Sequence, residues 1–299
     1  MSLAPGSAVT ILSDLSEEGL RRAILADFEG SATRRRCLPG ERRVDDRGLL
    51  AYVSDVNSPD VNEVARARFG DRGEPADGAA VDAAIAEVIE LFDWRPFLWW
   101  LGPDDSPADL GERLVRHGLV YLDDIPGMAM DLEDLGDEAT APPPAELDIQ
   151  PVLGESDLAD FLSVTTQGFP EDWGDGQAIE TFAAGMRRIA EEQGHREPNG
   201  APTRWIGRVD GRPVATARLH AGSGVAGIYT VVTVPDARRR GYGEALTRRA
   251  MLAGREAGLR IATLQASDSG RGVYERIGFR ELCRFRLYEW RPRIGAQPA

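Results

Sequence analysis

Between Val225 and Ala257 the sequence passes from a strand pattern to a helix pattern across a short loop rich in arginine and glycine. Few folds admit that junction. The apolar run Val225 to Val234 meets Pro235 and continues as Asp236-Ala237-Arg238-Arg239-Arg240-Gly241-Tyr242-Gly243-Glu244. Leu246, Ala250, Ala253 and Ala257 then recur at helical spacing, which predicts a helix opening near Gly243. Gly241 and Gly243 let the backbone come close to a ligand. The unpaired N–H groups of the first helical turn point together with the positive end of the helix dipole, an arrangement that suits a pyrophosphate. Three arginines at a helix start oppose the dipole, and a bound anion would compensate them. The alternative is a solvated charge run.

Other phosphate-binding patterns fit less well. A Walker loop ends in Gly-Lys-Ser/Thr, and the chain has no lysine. A dinucleotide fold places Gly-x-Gly-x-x-Gly inside a parallel βαβ unit, whereas Leu246 stands where the third glycine belongs. The preceding segments, Thr203 to Val209 and Pro213 to Leu219, flank Asp210-Gly211 and predict a hairpin.

Strands are expected at Asp148 to Val152 and Leu259 to Gln265, with closing strands in Phe279 to Trp290. Helices are expected around Leu158 to Thr165, over Gln177 to Glu192, and over Ser269 to Ile277 before Gly278. In the first half, Val81 to Phe92 and Ala108 to His117 read as helices. Phe97 to Leu101, Leu119 to Asp123 and Met128 to Leu132 read as strands. Aligning Gly118 with Gly278 superposes Gly-Glu-Arg-Leu-Val-Arg-His-Gly on Arg-Gly-Val-Tyr-Glu-Arg-Ile-Gly, which reads as an internal duplication. Pro142 to Pro144 separate the halves. The expected organisation is a first domain over 1–138, a proline-rich linker over 139–146 and a second domain over 147–299.

The 299 residues hold 42% hydrophobic side chains, enough for two cores, and a formal net charge of −14. So acidic a chain repels nucleic acid and anionic membranes at long range, and neither is expected as a partner. With no lysine there is no Schiff-base or lysine-nucleophile chemistry. Cys37 and Cys283 lie far apart, outside metal or redox spacings, so no metal is expected. With no secretory signal pattern and no apolar run of about 18 residues, a cytoplasmic protein is expected.

The run Arg-x-x-Gly-x-Gly after Val-x-Val-Pro resembles the acetyl-CoA motif of the GNAT superfamily of N-acetyltransferases. A second segment agrees: Leu264 to Phe279 places Tyr274 four residues before Gly278-Phe279, as in the family's later motif. The resemblance is strong over about Val225 to Phe285. It implies a mixed α/β, that is α+β, fold of two GNAT-like domains, each a mostly antiparallel mixed sheet flanked by helices. It also implies acetyl-CoA as co-substrate. Backbone groups of Val231, Val232 and Thr233 would face the acetyl group and pantetheine. Arg238, Arg239, Arg240, Gly241, Tyr242, Gly243 and Glu244 would hold the pyrophosphate. Ser267 stands where relatives often carry a cofactor-contacting Asn, and Tyr274 matches the tyrosine that protonates the departing thiolate.

The implied reaction is direct attack of a neutral amine on the thioester in a ternary complex. An N–H near Thr233 on a splayed strand would stabilise the oxyanion, and a phenol would supply a proton to the leaving sulfur. The acceptor is expected to be a small primary amine, with Thr165 to Asp175, including Phe169, Glu171, Asp172 and Trp173, lining its pocket. No general base is assigned. Ala262 stands where some relatives carry a Glu; Glu171, Asp172 and His220 are candidates, and a water relay fits equally. The first half reads as a degenerate copy: Arg72 to Gly78 lacks the arginine cluster and Leu114 aligns with Tyr274, so it is expected not to catalyse acetyl transfer. Its aromatic run, Trp94, Phe97, Trp99 and Trp100, is expected in the core. The fused pair is expected to act as a monomer or a homodimer. The alternative function is a non-catalytic acyl-CoA sensor.

Overall fold

In the computed structural model, residues 10–32, 40–70, 77–93, 95–137, 141–168, 184, 187 and 202–292 are described. Two compact units emerge, and both cross the sequence-based divisions. One takes its described residues from Met1–Ser31, Gly127–Gly168 and His195–Leu282. The other takes them from Ala32–Pro126, Phe169–Gly194 and Cys283–Ala299. The described part of the expected linker, 141–146, lies inside the first unit.

The first unit contains helix α1 (Glu17–Ala32), strand β6 (Asp148–Pro151), helix α4 (Glu155–Gly168), strands β7 (Arg204–Val209), β8 (Arg212–His220) and β9 (Ala226–Thr233), helix α5 (Tyr242–Glu256), strand β10 (Ile261–Gln265) and helix α6 (Asp268–Ile277). The carboxyl-terminal part of β5 (Val120–Asp131) joins it. β6 to β9 pair antiparallel in sequence order. Asp210 and Gly211 both have positive φ, the geometry that turns a tight hairpin between β7 and β8. α5 returns the chain so that β10 lies parallel to β9, and β5 closes the sheet antiparallel on β10. Leu158, Phe161, Leu162 and Thr165 of α4 are buried, as their spacing predicts. Trp205, Leu219, Ile228, Leu246, Met251, Leu264 and Phe279 belong to one core. α5 lies so close to β9 that a methyl carbon on Gly254 would come within 2.7 Å of Ala226 Cβ.

The second unit repeats the pattern. β1 (Arg42–Asp46), β2 (Leu49–Val53) and β3 (Glu63–Ala67) pair antiparallel. Helix α2 (Gly78–Leu91) brings β4 (Phe97–Leu101) parallel to β3, and β11 (Arg280–Trp290) pairs antiparallel with β4. Helix α3 (Leu110–Arg116) links β4 to β5. Ile85, Val88, Phe92, Phe97, Trp99 and Leu114 share the core with Trp290, and Phe92 stacks on Phe97 at 4.2 Å. Trp100 is half-buried, and Trp94 lies outside the described residues. Each half of the sequence thus lends its last strand to the other unit: β5 pairs with β10 and β11 with β4.

Two expectations need correction. Leu119 to Asp123 and Met128 to Leu132 form one strand, because Pro126 falls just before the first β10-paired residue, Gly127, where a proline is tolerated. Phe279 to Trp290 likewise supplies a single strand. Of the helix expected over Gln177 to Glu192, Ala184 and Arg187 are helical and exposed, and the rest lies outside the described residues. Among the described residues no helix is long and apolar enough to cross a membrane.

Candidate active site

β9 is irregular where the resemblance puts the thioester. Its register with β8 shifts between Thr216 and Arg218, so that Tyr229 faces Arg218 but Val232 faces Thr216. The extra residue is a bulge; Thr230 has φ 51°, and Thr216 Oγ1 donates to its carbonyl at 3.0 Å. The parallel ladder with β10 ends at Gly227↔Thr263, while β9 runs on to Thr233 and β10 stays paired with β5 as far as Gln265. The two strands therefore part company beside Val231, Val232 and Thr233. Such a gap exposes strand N–H groups to a bound carbonyl.

The loop after β9 is shaped by its backbone. Pro235–Ala237 form one 3-10 turn, Arg239 has φ 63°, and Gly241 has φ 81° at the N-cap of α5. A glycine cap has no side chain to bond the first amides, and none does so here. The N–H groups of the first turn keep their positive potential for an external anion. A methyl carbon on Gly243 would sit 3.5 Å from Thr233 Oγ1 and 3.8 Å from Val231 Cγ1, which puts this helix start directly against the bulged strand.

The side chains of the loop divide their work. Arg238 donates through Nε to Thr233 O at 3.2 Å and through Nη2 to Gly168 O at 3.1 Å, tying the loop to β9 and to the end of α4. Arg239 and Arg240 are exposed. Tyr242 turns inward, 2% exposed, and donates to Glu146 Oε1 at 2.9 Å, so only its backbone faces the loop. The Glu146 carboxyl is held below the usual carboxylate range by its own backbone N–H, then by Tyr242, with Arg240 adding attraction. Glu244 pairs with Arg248 at 3.3 Å and Arg276 at 3.9 Å. Glu146 was not legible as a site residue, because it reads as the end of a polar linker.

Tyr274 lies on α6, edge-on to Phe279 with centroids 6.0 Å apart. Burial pushes its phenol up to about 12, which keeps it protonated at neutral pH. Ser267 caps α6, its Oγ accepting from Gly270 N at 3.3 Å. His220 is fully buried, with Nδ1 3.0 Å from Asp27 Oδ1 on α1. Phe169, Glu171, Asp172 and Trp173 lie outside the described residues.

In the second unit the helix corresponding to α5 carries a side-chain cap where α5 has none. Asp77 caps α2, its carboxylate accepting from Ala79 N at 3.1 Å. Leu114 is fully buried. Both duplicated helices end alike, with Leu119 N donating to Leu114 O and Phe279 N to Tyr274 O, each at 3.0 Å.

A bulged strand parting from its parallel neighbour beside a glycine-capped helix is the arrangement that the GNAT resemblance implies. Residues 159–279 match the profile of the Acetyltransferase (GNAT) family, so this chain is an acyltransferase carrying a GNAT-family domain. Among solved structures, a GCN5-related N-acetyltransferase from Kribbella flavida is similar at 22% identity and TM-score 0.65, with 90% of this chain and 95% of that one covered. A tandem GNAT protein from the clavulanic acid biosynthesis pathway is similar over 98% of this chain and 99% of its own, at 12% identity and TM-score 0.61. A GCN5-related N-acetyltransferase from Sphaerobacter thermophilus covers 84% and 82% at 16% identity and TM-score 0.60. These likenesses establish the tandem fold. No curated protein matches the chain significantly.

Proposed function

We propose that the chain transfers an acetyl group from acetyl-CoA to a primary amine of a small molecule, by direct attack in a ternary complex within the first unit. The observation that carries this reading is the glycine-capped start of α5 lying against the bulged end of β9. Amides of Tyr242, Gly243 and Glu244, with exposed Arg239 and Arg240, hold the pyrophosphate. The Arg238 side chain positions the loop rather than the phosphate, since two carbonyls already occupy it. Val231, Val232 and Thr233 hold the acetyl group and pantetheine through their backbone. The Ser267 hydroxyl borders the pantetheine while capping α6. Tyr274 gives its phenolic proton to the departing sulfur. The second unit takes no part in the chemistry, because Asp77 already satisfies its helix start and Leu114 offers no proton. A cytoplasmic setting, as monomer or homodimer, agrees with this soluble-substrate chemistry.

The test is calorimetry with coenzyme A together with a thiol-release screen of acetyl-CoA against amines, amino acids and aminoglycosides. Arg239→Ala with Arg240→Ala should weaken coenzyme A binding about tenfold or more, the loss shrinking at high salt. Unaltered binding would discard the loop as the pyrophosphate site. Binding without turnover would favour a sensor.

A further inference from the structure

Asp27, which no motif marks, is fully buried on α1 and reaches the point where β9 and β10 separate. Three strands converge on its carboxylate. Tyr229 Oη on β9 donates to Oδ2 at 2.7 Å, and Thr263 Oγ1 on β10 donates to the same oxygen at 2.8 Å. His220 Nδ1 on β8 meets Oδ1 at 3.0 Å. Room for this carboxylate exists because residue 227 is glycine: a methyl carbon there would lie 2.4 Å from Oδ2.

We infer that Tyr229, Asp27 and His220 form the proton relay that deprotonates the acceptor amine. The inference rests on the acetyltransferase reading above. Strand register supports it first. Tyr229 and Val232 share the sheet face against which Gly168 of α4 packs, whereas Val231 and Thr233 face the start of α5. The pyrophosphate helix and Tyr229 are therefore on opposite faces of the same strand, one residue either side of the bulge and the acetyl-binding stretch. An amine entering from the α4 face meets Tyr229 before it meets the thioester carbon. Tyr229 is also partly exposed, the one member of the group that a substrate can touch.

The cost of the cluster points the same way. His220 Nε2 is buried with no hydrogen-bond partner among the described residues. A cluster serving only to pin α1 to the sheet would carry no such penalty if apolar. Among the described residues, the charged groups beside it in the strand register are Arg218, directly opposite Tyr229, and Arg204, opposite Arg218.

Each proton has a stated origin and destination. An N–H bond of the acceptor ammonium breaks toward Tyr229 Oη while the phenolic O–H bond breaks toward Asp27 Oδ2. The carboxylate becomes a carboxylic acid, and the amine keeps the electron pair with which it attacks. The proton later returns to solvent by the same path. Tyr229 is then a catalytic residue, and Asp27 and His220 act through it.

The experiment measures kcat/KM from pH 6 to 10 for the wild-type chain, Tyr229→Phe and Asp27→Asn, using the primary amine turned over fastest in the thiol-release screen. Each variant should lose about 100-fold at pH 7. Its profile should then climb tenfold per pH unit and converge on the wild type where the amine is neutral by itself. Coenzyme A affinity should stay within about threefold, which separates a relay from a folding defect; Tyr229→Phe, with its ring kept, guards against a misfolded Asp27→Asn. A loss equal at every pH, or no loss, would overturn the relay alone. A wild-type chain that binds coenzyme A but acetylates no amine would overturn the acetyltransferase reading and the relay with it.

Discussion

Replacing Tyr274 by Phe removes one hydroxyl and leaves the ring where it packs against Phe279. The hydroxyl makes no hydrogen bond among the described residues, so stability should change by no more than about 0.5 kcal/mol. The chemistry should change far more. With the phenol at about 12, nearly every molecule carries the proton at pH 7. Its loss should lower kcat by about 10² to 10³, or about 3 to 4 kcal/mol of barrier. Because the phenol ionises only near pH 12, the wild type should show no alkaline loss of kcat from this group below about pH 11. Thiol release across pH 6 to 10 reads kcat, calorimetry reads coenzyme A affinity, and a thermal melt reads the fold. Unchanged kcat, or a fall in kcat matched by an equal fall in coenzyme A affinity, would refute the acid role and leave Tyr274 as a packing residue.

Gly254→Val should force α5 off β9, since the first added carbon already meets Ala226 at 2.7 Å; a destabilisation of about 1 to 3 kcal/mol should appear as a lower melting temperature. Asp77→Ala should cost about 1 kcal/mol of stability through its lost cap on α2, with coenzyme A affinity and turnover unchanged in calorimetry and thiol release. The Glu146 carboxyl is lowered in the folded state, so its contribution is present above the unfolded value near 4.5 and is lost as pH falls through the folded one. Glu146→Gln should therefore cost most stability at neutral pH, the difference from the wild type shrinking as pH falls below about 4.5 in denaturant titrations, so that the acid side of the curve is flatter.

Local pattern carried the parts of this protein that local physics fixes. The hairpin at Asp210-Gly211 needs only residues tolerant of positive φ. The helix stripe through Leu246, Ala250 and Ala253 needs only apolar spacing. Gly241 announces an uncapped helix start for the same reason, since no neighbour can supply the side chain it lacks.

Tertiary structure decided whatever depends on partners distant in the chain. No local signal marks α1, the β1–β3 meander or Asp27, whose three hydrogen-bond partners lie 193 to 236 positions away. Nor does a turn-like Ile125-Pro126-Gly127 reveal one continuous β5, or a proline-rich stretch reveal that its end anchors Tyr242. Strand exchange between the halves is equally silent, because β5 and β11 have the same alternation whichever sheet receives them. The sequence specifies each face and each cap through short-range sterics and polarity. Which strand pairs with which, and which carboxylate fills the space above Gly227, is settled only when burying the whole apolar surface selects one arrangement of distant segments.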